Sequence, residues 1–474
     1  MPTPTLQPEL DQRPIVELLK IAIPSIATMT SYSAMQFVDT LMVSRITPAD
    51  PIYVAAAGNG GVWAWMPMAI AMGITGMVNT FVSQHLGAGE PRKGSAYAWN
   101  ALWVALIWSI CLLPYALLLP TIFRWQGHGT NLIALSSQYG QILLYGSFLT
   151  LAARALAQYF YGLHRPWIVL LAALAGNITN IVCNYFLIYG NERLGIPALG
   201  VPGAALGTVI GTFVELLIPA VLFLSGPFNR EFGTRSAWRF SRAHAAGLFK
   251  TGWAPALMYG NEMICWAIFM SALVGSFGVN HNAASWITLR YMHTSFMPAV
   301  GISFAITAVV GKAMGAGRPD LAAQRAWTGV KLAMVYMSFC AILMALFREQ
   351  AVGLFIQEST NPADVVEILR IGSTIMIVAA CFQVFDALGI SLVGALRGAG
   401  DTVVPGVVTM ILSWTLIIGL GITIMRVAPG LGAIGPWIAA AVYIIVFGIW
   451  AGGRFWRGKW KSIRLIGEQG GVNP

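Results

Sequence analysis

The chain has 474 residues, of which 57% are hydrophobic and only 10% charged. A soluble protein carries about 25% charged residues, so a soluble enzyme of this length could not cover its surface. The 17 Trp, 23 Phe and 14 Tyr exclude a disordered chain. What remains is a polytopic membrane protein, in which a net charge of +10 is a topology signal and not a nucleic-acid footprint.

Residues 1–14 are polar and Pro-rich. No charged n-region, short apolar core and small-residue cleavage site follow in the order of a signal peptide, so the first apolar segment is read as retained. A helix that crosses a bilayer needs about 20 mostly apolar residues. Twelve candidates follow in chain order, near 15–46, 52–83, 95–122, 132–162, 166–190, 199–225, 246–276, 282–313, 323–347, 364–396, 403–427 and 432–454. Several exceed the bilayer thickness and imply tilt or extension beyond it. The longest break, 226–245, carries four arginines (Arg230, Arg235, Arg239 and Arg242) and divides the chain near its middle. The predicted fold class is therefore all-α: twelve transmembrane helices in two pseudo-symmetric six-helix bundles. The expected N-lobe is 1–225, the linker 226–245 and the C-lobe 246–474.

Orientation follows from the basic residues. With a cytoplasmic N-terminus, 19 of the 28 Lys and Arg fall on cytoplasmic tails and loops and five fall opposite. The other four, Arg154, Arg290, Lys331 and Arg370, lie within spans. Both termini are expected in the cytoplasm, with the chain in the plasma (inner) membrane.

The halves also share sequence. SQHLGAGEPRKGSAYAWNAL (83–102) aligns without gaps to GKAMGAGRPDLAAQRAWTGV (311–330) at an offset of 228. Leu199-Gly200 matches Leu431-Gly432 at 232. Six helices per half keep both copies in one orientation, which predicts a pseudo-two-fold axis along the membrane normal, as in parallel-repeat transporters. A symmetric channel or scaffold is the alternative to transport. No GxxxxGK[ST], HExxH or GxSxG occurs, and the six histidines show no metal-ligand spacing. The expectation is no enzyme and no cofactor. An ion gradient then drives transport, with Na⁺ or H⁺ as coupling ion and no other metal. Five scattered cysteines (111, 183, 265, 340, 381) are expected to be small buried hydrophobes without disulfides.

Ionisable residues inside spans are functional candidates by default. Four carboxylates qualify: Asp39, Glu215, Glu262 and Asp386, with the four intramembrane cations as candidate partners. In the fifth span, GNITNIVCN sets Asn177, Asn180 and Asn184 on one helix face at i, i+3 and i+7. Such amides must face protein, water or an ion. With a carboxylate they suit a Na⁺-like cation, and they equally suit a titrating acid or plain interhelical hydrogen bonding. Trp63, Trp65, Trp266, Trp286 and Trp414 could line a cavity or mark the membrane interface.

VDT in the first span, GNxxNxxxN in the fifth, GAALGTVI in the sixth and GALRGAGDT after the tenth together resemble the MATE family of multidrug and toxic-compound extrusion transporters. The resemblance covers essentially the whole chain. It implies Na⁺- or H⁺-coupled antiport of cationic or amphiphilic small molecules, with an N-lobe cation or proton site at Asp39, Asn180, Asn184 and Thr208. It also implies C-lobe carboxylates at Glu262 and Asp386, as in the bacterial multidrug/Na⁺ branch. Two positions depart from that branch: Phe382 stands where a hydroxyl-bearing aromatic can occur, and Gly389 replaces a Gln. LRYMHTSFMPAVG around Arg290 looks like another branch. The alternative function is a flippase for a lipid-linked saccharide or related amphiphile, which calls for a more cationic cavity. The expected partners are small molecules and lipid, with the chain acting as a monomer.

Overall fold

The structure is a computed structural model that describes residues 13–48, 50–356 and 361–466. Most of the polar opening segment, 1–12, lies outside the described residues. Among them the fold is helical, with one isolated bridge between Asn191 and Ile196. In the first half the helices are α1 (Pro14–Ser44), α2 (Pro51–Thr75), α3 (Val78–Gly87), α4 (Pro91–Trp125), α5 (Thr130–Tyr145), α6 (Ser147–Gly162), α7 (Pro166–Tyr189), α8 (Val201–Phe223) and the short α9 (Gly226–Phe232). In the second half they are α10 (Arg242–Ile268), α11 (Val279–Gly315), α12 (Pro319–Leu346), α13 (Arg348–Gly353), α14 (Pro362–Ala399), α15 (Val403–Leu412), α16 (Gly421–Val427) and α17 (Ile434–Trp456).

Proline opens α1, α2, α4, α7, α12 and α14, where its fixed φ is pre-organised and its missing N–H has no helical acceptor to satisfy. Eleven spans are long and apolar enough to cross a bilayer unbroken. The twelfth is the α5–α6 pair, bent by 49° at Gly146. There a Cβ would press on the Val209 side chain at 2.7 Å, so the bend brings backbone onto α8. Two of the eleven pass through stretches of wider π-helix, Phe269–Val274 after α10 and Ser413–Leu420 between α15 and α16. The twelve predicted segments thus coincide with the helical spans to within a few residues.

α1 packs against α7 and α11, α2 against α5 and α10, α7 against α8, and α14 against α11 and α17. Small residues sit at these crossings, because without a hydrophobic drive between helices in lipid, close backbone approach supplies the contact. The 226–245 segment is docked rather than free. Trp99 and Trp103 of α4 donate their indole N–H groups to the Thr234 and Trp238 carbonyls at 2.6 and 2.8 Å.

One expectation needs correcting. All five cysteines are free as predicted, but only Cys265 is buried; Cys183 and Cys340 are half-buried, and Cys111 and Cys381 are exposed. A bilayer-spanning bundle turns apolar side chains outward as well as inward, so an apolar neighbourhood in sequence does not select the core. Ile107, Ile110 and Leu117, neighbours of Cys111 on α4, are likewise exposed.

At the end that carries the two Gly-Ala-Gly turns, Arg454 of α17 grips Asp401 with two hydrogen bonds of 2.8 Å each. Asp401 is buried. Arg454→Ala leaves that carboxylate inside without its cation, a loss of about 3 kcal/mol for a pair of this kind. The thermal midpoint in detergent should fall, and Asp401→Asn added to Arg454→Ala should recover part of the loss.

Candidate functional site

The amide row of α7 points into the first half. Asn177, Asn180 and Asn184 are 8%, 1% and 0% exposed. Glycines of α8 admit them: a Cβ on Gly207 would overlap the Asn184 amide oxygen, and one on Gly211 would come within 2.8 Å of the Asn180 Cβ. Asn184 Nδ2 donates to Asp39 Oδ1 at 2.7 Å and to Asn180 Oδ1 at 3.2 Å. Asn180 Nδ2 in turn donates to Thr208 Oγ1 at 3.3 Å. The four residues of the expected N-lobe site are thus in one hydrogen-bonded chain across α1, α7 and α8. Asn177 is diverted from it and donates to Ser31 Oγ at 3.1 Å.

Two features of this cluster were not apparent in the sequence. The Tyr139 phenol of α5 reaches Thr208 and senses the Asp39 charge. The Asn184 Oδ1 atom is buried and accepts no hydrogen bond among the described residues. Among the described residues Asp39 has no Lys, Arg or His within salt-bridge distance, and the Asn184 amide is its polar partner. A carboxylate and an open amide oxygen are hard oxygen donors, the set that a small monovalent cation takes; a proton on Asp39 would meet the same need for neutralisation.

Glu215 is different. Arg154 lies 3.4 Å from its carboxylate, and the Tyr32 hydroxyl donates to Oε1 at 2.5 Å. The guanidinium also stacks 4.1 Å above the Tyr32 ring. Of the intramembrane cations suggested as partners, Arg154 takes that role, while Arg290, Lys331 and Arg370 are exposed. Glu215 therefore has its counter-charge built in and has none to offer a ligand.

In the second half, Glu262 on α10 and Asp386 on α14 come close enough to interact electrostatically with each other and with the Tyr443 phenol of α17. Among the described residues neither makes an ion pair or hydrogen bond, and both are half-buried. Phe382 is fully buried. A Cβ at 389 would sit 3.2 Å from the Phe447 ring, so any side chain there requires that ring to shift. Trp414 donates its indole N–H to the Asn261 side-chain Oδ1 at 2.7 Å, next to Glu262 in sequence, while its ring stays exposed. Among the described residues no three His, Cys, Asp or Glu gather as metal ligands.

Another carboxylate escaped the sequence reasoning altogether. Glu17, one turn into α1, is buried against Arg325 Nε at 2.7 Å and Lys312 Nζ at 3.9 Å. Both cations were counted as loop charges. The signal was a lone acid just inside an apolar run.

The MatE family matches this chain twice, over residues 24–186 and again over 260–423, so the internal repeat has a family-level counterpart. A Synechococcus relative, a probable multidrug resistance protein NorM, is 30% identical over 94% of this chain and 93% of its own length. The multidrug resistance protein PmpM of Pseudomonas aeruginosa is 30% identical over 86% of this chain and 82% of its own. Among solved structures, a MOP-superfamily transporter from Pyrococcus furiosus superposes with a TM-score of 0.85 at 21% identity, covering 98% of this chain and all of that one. An outward-facing multidrug resistance MATE transporter gives 0.81 at 20% identity, covering 96% and 99%. These two establish a shared fold. The paired family matches over most of the length, with the full-length relatives, show that this chain belongs to the MatE family of membrane transporters.

Proposed function

We propose that the protein is a secondary active exporter of organic cations and other amphiphilic drugs. Export is by antiport against Na⁺ or H⁺, with access alternating between an N-lobe (1–225) and a C-lobe (246–474) joined by the 226–245 linker. The chain works as a monomer in the plasma (inner) membrane with both termini cytoplasmic. The names of the full-length relatives support the substrate class. The observation that carries the coupling is Asp39: a carboxylate within a membrane span, held by an Asn184 amide and lacking a basic partner among the described residues. Such a group is stabilised by whichever of a proton or a cation arrives, which makes the two competitors for one site. Glu262, Asp386 and Tyr443 form a second acidic surface suited to a cationic substrate. Each ligand shifts the conformational equilibrium only by its differential affinity for the two states. A flippase of anionic headgroups is less well supported, because the Arg154 charge is already engaged by Glu215.

Three outcomes test this reading. Asp39→Asn keeps size and polarity and removes the titrating charge; in proteoliposomes it should lose at least tenfold in gradient-driven efflux while its thermal midpoint stays within a few degrees of wild type. Wild-type efflux under both Na⁺ and H⁺ gradients would make Asp39 a structural acid. Glu262→Gln and Asp386→Asn should weaken binding of a fluorescent organic cation measured without any gradient. Unchanged affinity in both would remove the C-lobe acids from the substrate site. Arg154→Gln should lower the yield of folded protein by stranding Glu215, and Glu215→Gln in the same chain should restore it, with efflux per folded molecule near wild type.

A further inference from the structure

The contacts between the two halves occur in reciprocal pairs. Gly73 of α2 lies on α10, where a Cβ would overlap the Ala256 backbone and come 2.8 Å from the Pro255 carbonyl carbon. Gly301 of α11 lies on α1, where a Cβ would sit 2.8 Å from the Ser25 carbonyl oxygen and the Ile26 nitrogen. Residues 73 and 301 are separated by the repeat offset of 228, and Ser25 and Ala256 each follow the proline of their own helix. Farther along, a Cβ on Gly87 would overlap the Lys312 carbonyl, and one on Gly315 would overlap the Gln84 carbonyl. Gly87 corresponds to Gly315 and Gln84 to Lys312 at the same offset. Between these pairs the Ser83 hydroxyl rests on Gly311, which is its own counterpart.

This is the pattern of an isologous two-fold contact, in which i meets j and j meets i. The pseudo-axis passes between Ser83 and Gly311. Every one of these overlaps would be with the other half's backbone or with a side chain held on the axis, so no flexible tip can swing away to admit a methyl group. Polar bonds cross the same seam as well: Gln84 Nε2 donates to the Gly398 carbonyl and Thr80 Oγ1 to the Arg397 carbonyl, each at 2.9 Å, and Asn79 Nδ2 to the Phe304 carbonyl at 3.4 Å. Glu17, at the start of α1, reaches Arg325 and Lys312 of the second half beside it. All of this lies toward the end of the spans that carries the Gly-Ala-Gly turns, away from Asp39 near the other end of α1.

We propose that Gly73, Gly87, Gly301 and Gly315 are positioning residues of the transport cycle. They form the two-fold surface on which the halves close at the Gly-Ala-Gly end, and Glu17 with Arg325 and Lys312 is the ionic clasp over it. Glycine at these four positions lets helix backbones touch, and the fit is lost with one added carbon. Closure here seals one side of the membrane while the acidic sites remain reachable from the other. That the seam must also open rests on the export reading; its geometry does not.

The test is chemical access to the seam. Thr80 is fully buried there. Thr80→Cys is placed in a chain whose native cysteines are replaced, and its modification by a membrane-impermeant maleimide is timed from each side of sealed vesicles. Gly87→Ala and Gly315→Ala should each speed modification at least tenfold from the Gly-Ala-Gly side, and by similar factors. Gly453→Ala, whose Cβ meets nothing within 4 Å, should leave the rate unchanged. Glu17→Gln adds no volume and should also speed it, so the test survives if an alanine variant fails to fold. Unchanged rates in folded Gly→Ala and Glu17→Gln variants would overturn the proposal, and so would a response at only one of the two glycines. Labelling needs no transport. A seam that opens in a protein without efflux would count against the export reading alone.

Discussion

A charge inside a bilayer-spanning bundle must be neutralised by the protein or by something the protein binds. This constraint sorts the acids of the chain into two kinds. Glu215 is met by Arg154 and Tyr32, Asp401 by Arg454, and Glu17 by Arg325 and Lys312. Each of these is a closed arrangement that ties helices together. Asp39 is met by an amide, and Glu262 and Asp386 lie near each other and a phenol. On the proposed reading these acids are left for a mobile cation, a proton or a charged substrate.

The packing serves that division. Glycines on α8 bring α7 close enough to line up three amides, and the last of them reaches across to α1 and holds Asp39. On α1 the same helix carries Tyr32, tied to Glu215, and Glu17, clasped to the second half. One helix therefore links the open carboxylate, a closed ion pair and the seam between the halves. The other end of that helix is anchored to α11 and α12, so on the proposed reading a change of charge at Asp39 has a physical route to the closure.

Much of this was legible in the sequence, for identifiable reasons. Hydropathy alone places the spans because backbone polar groups in lipid admit only helices or closed barrels. The i, i+3, i+7 spacing of Asn177, Asn180 and Asn184 puts them on one face whatever surrounds them. Their joining to Asp39, 145 residues away in sequence, followed from the family resemblance and not from any local pattern. Tyr139 and Tyr443 were invisible because an aromatic residue in an apolar run carries no mark of its neighbours. Glu17 was missed because the ends of spans were read as solvated, whereas the seam buries them. The cysteines were misjudged because in lipid an apolar residue has two places to go. Gly87 and Gly315 stand in the aligned Gly-Ala-Gly segments, but only the paired contacts revealed that Gly73 and Gly301 obey the same offset and that all four meet the opposite half.

The central claim is that the unneutralised carboxylates couple substrate movement to an ion. The most direct measurement is efflux of a fluorescent organic cation from proteoliposomes of the wild-type protein, with Na⁺ and H⁺ gradients imposed separately and the membrane potential clamped. The account predicts that at least one inwardly directed gradient accelerates export and that collapsing it stops export. Efflux of the same rate with either gradient, both or neither would contradict it.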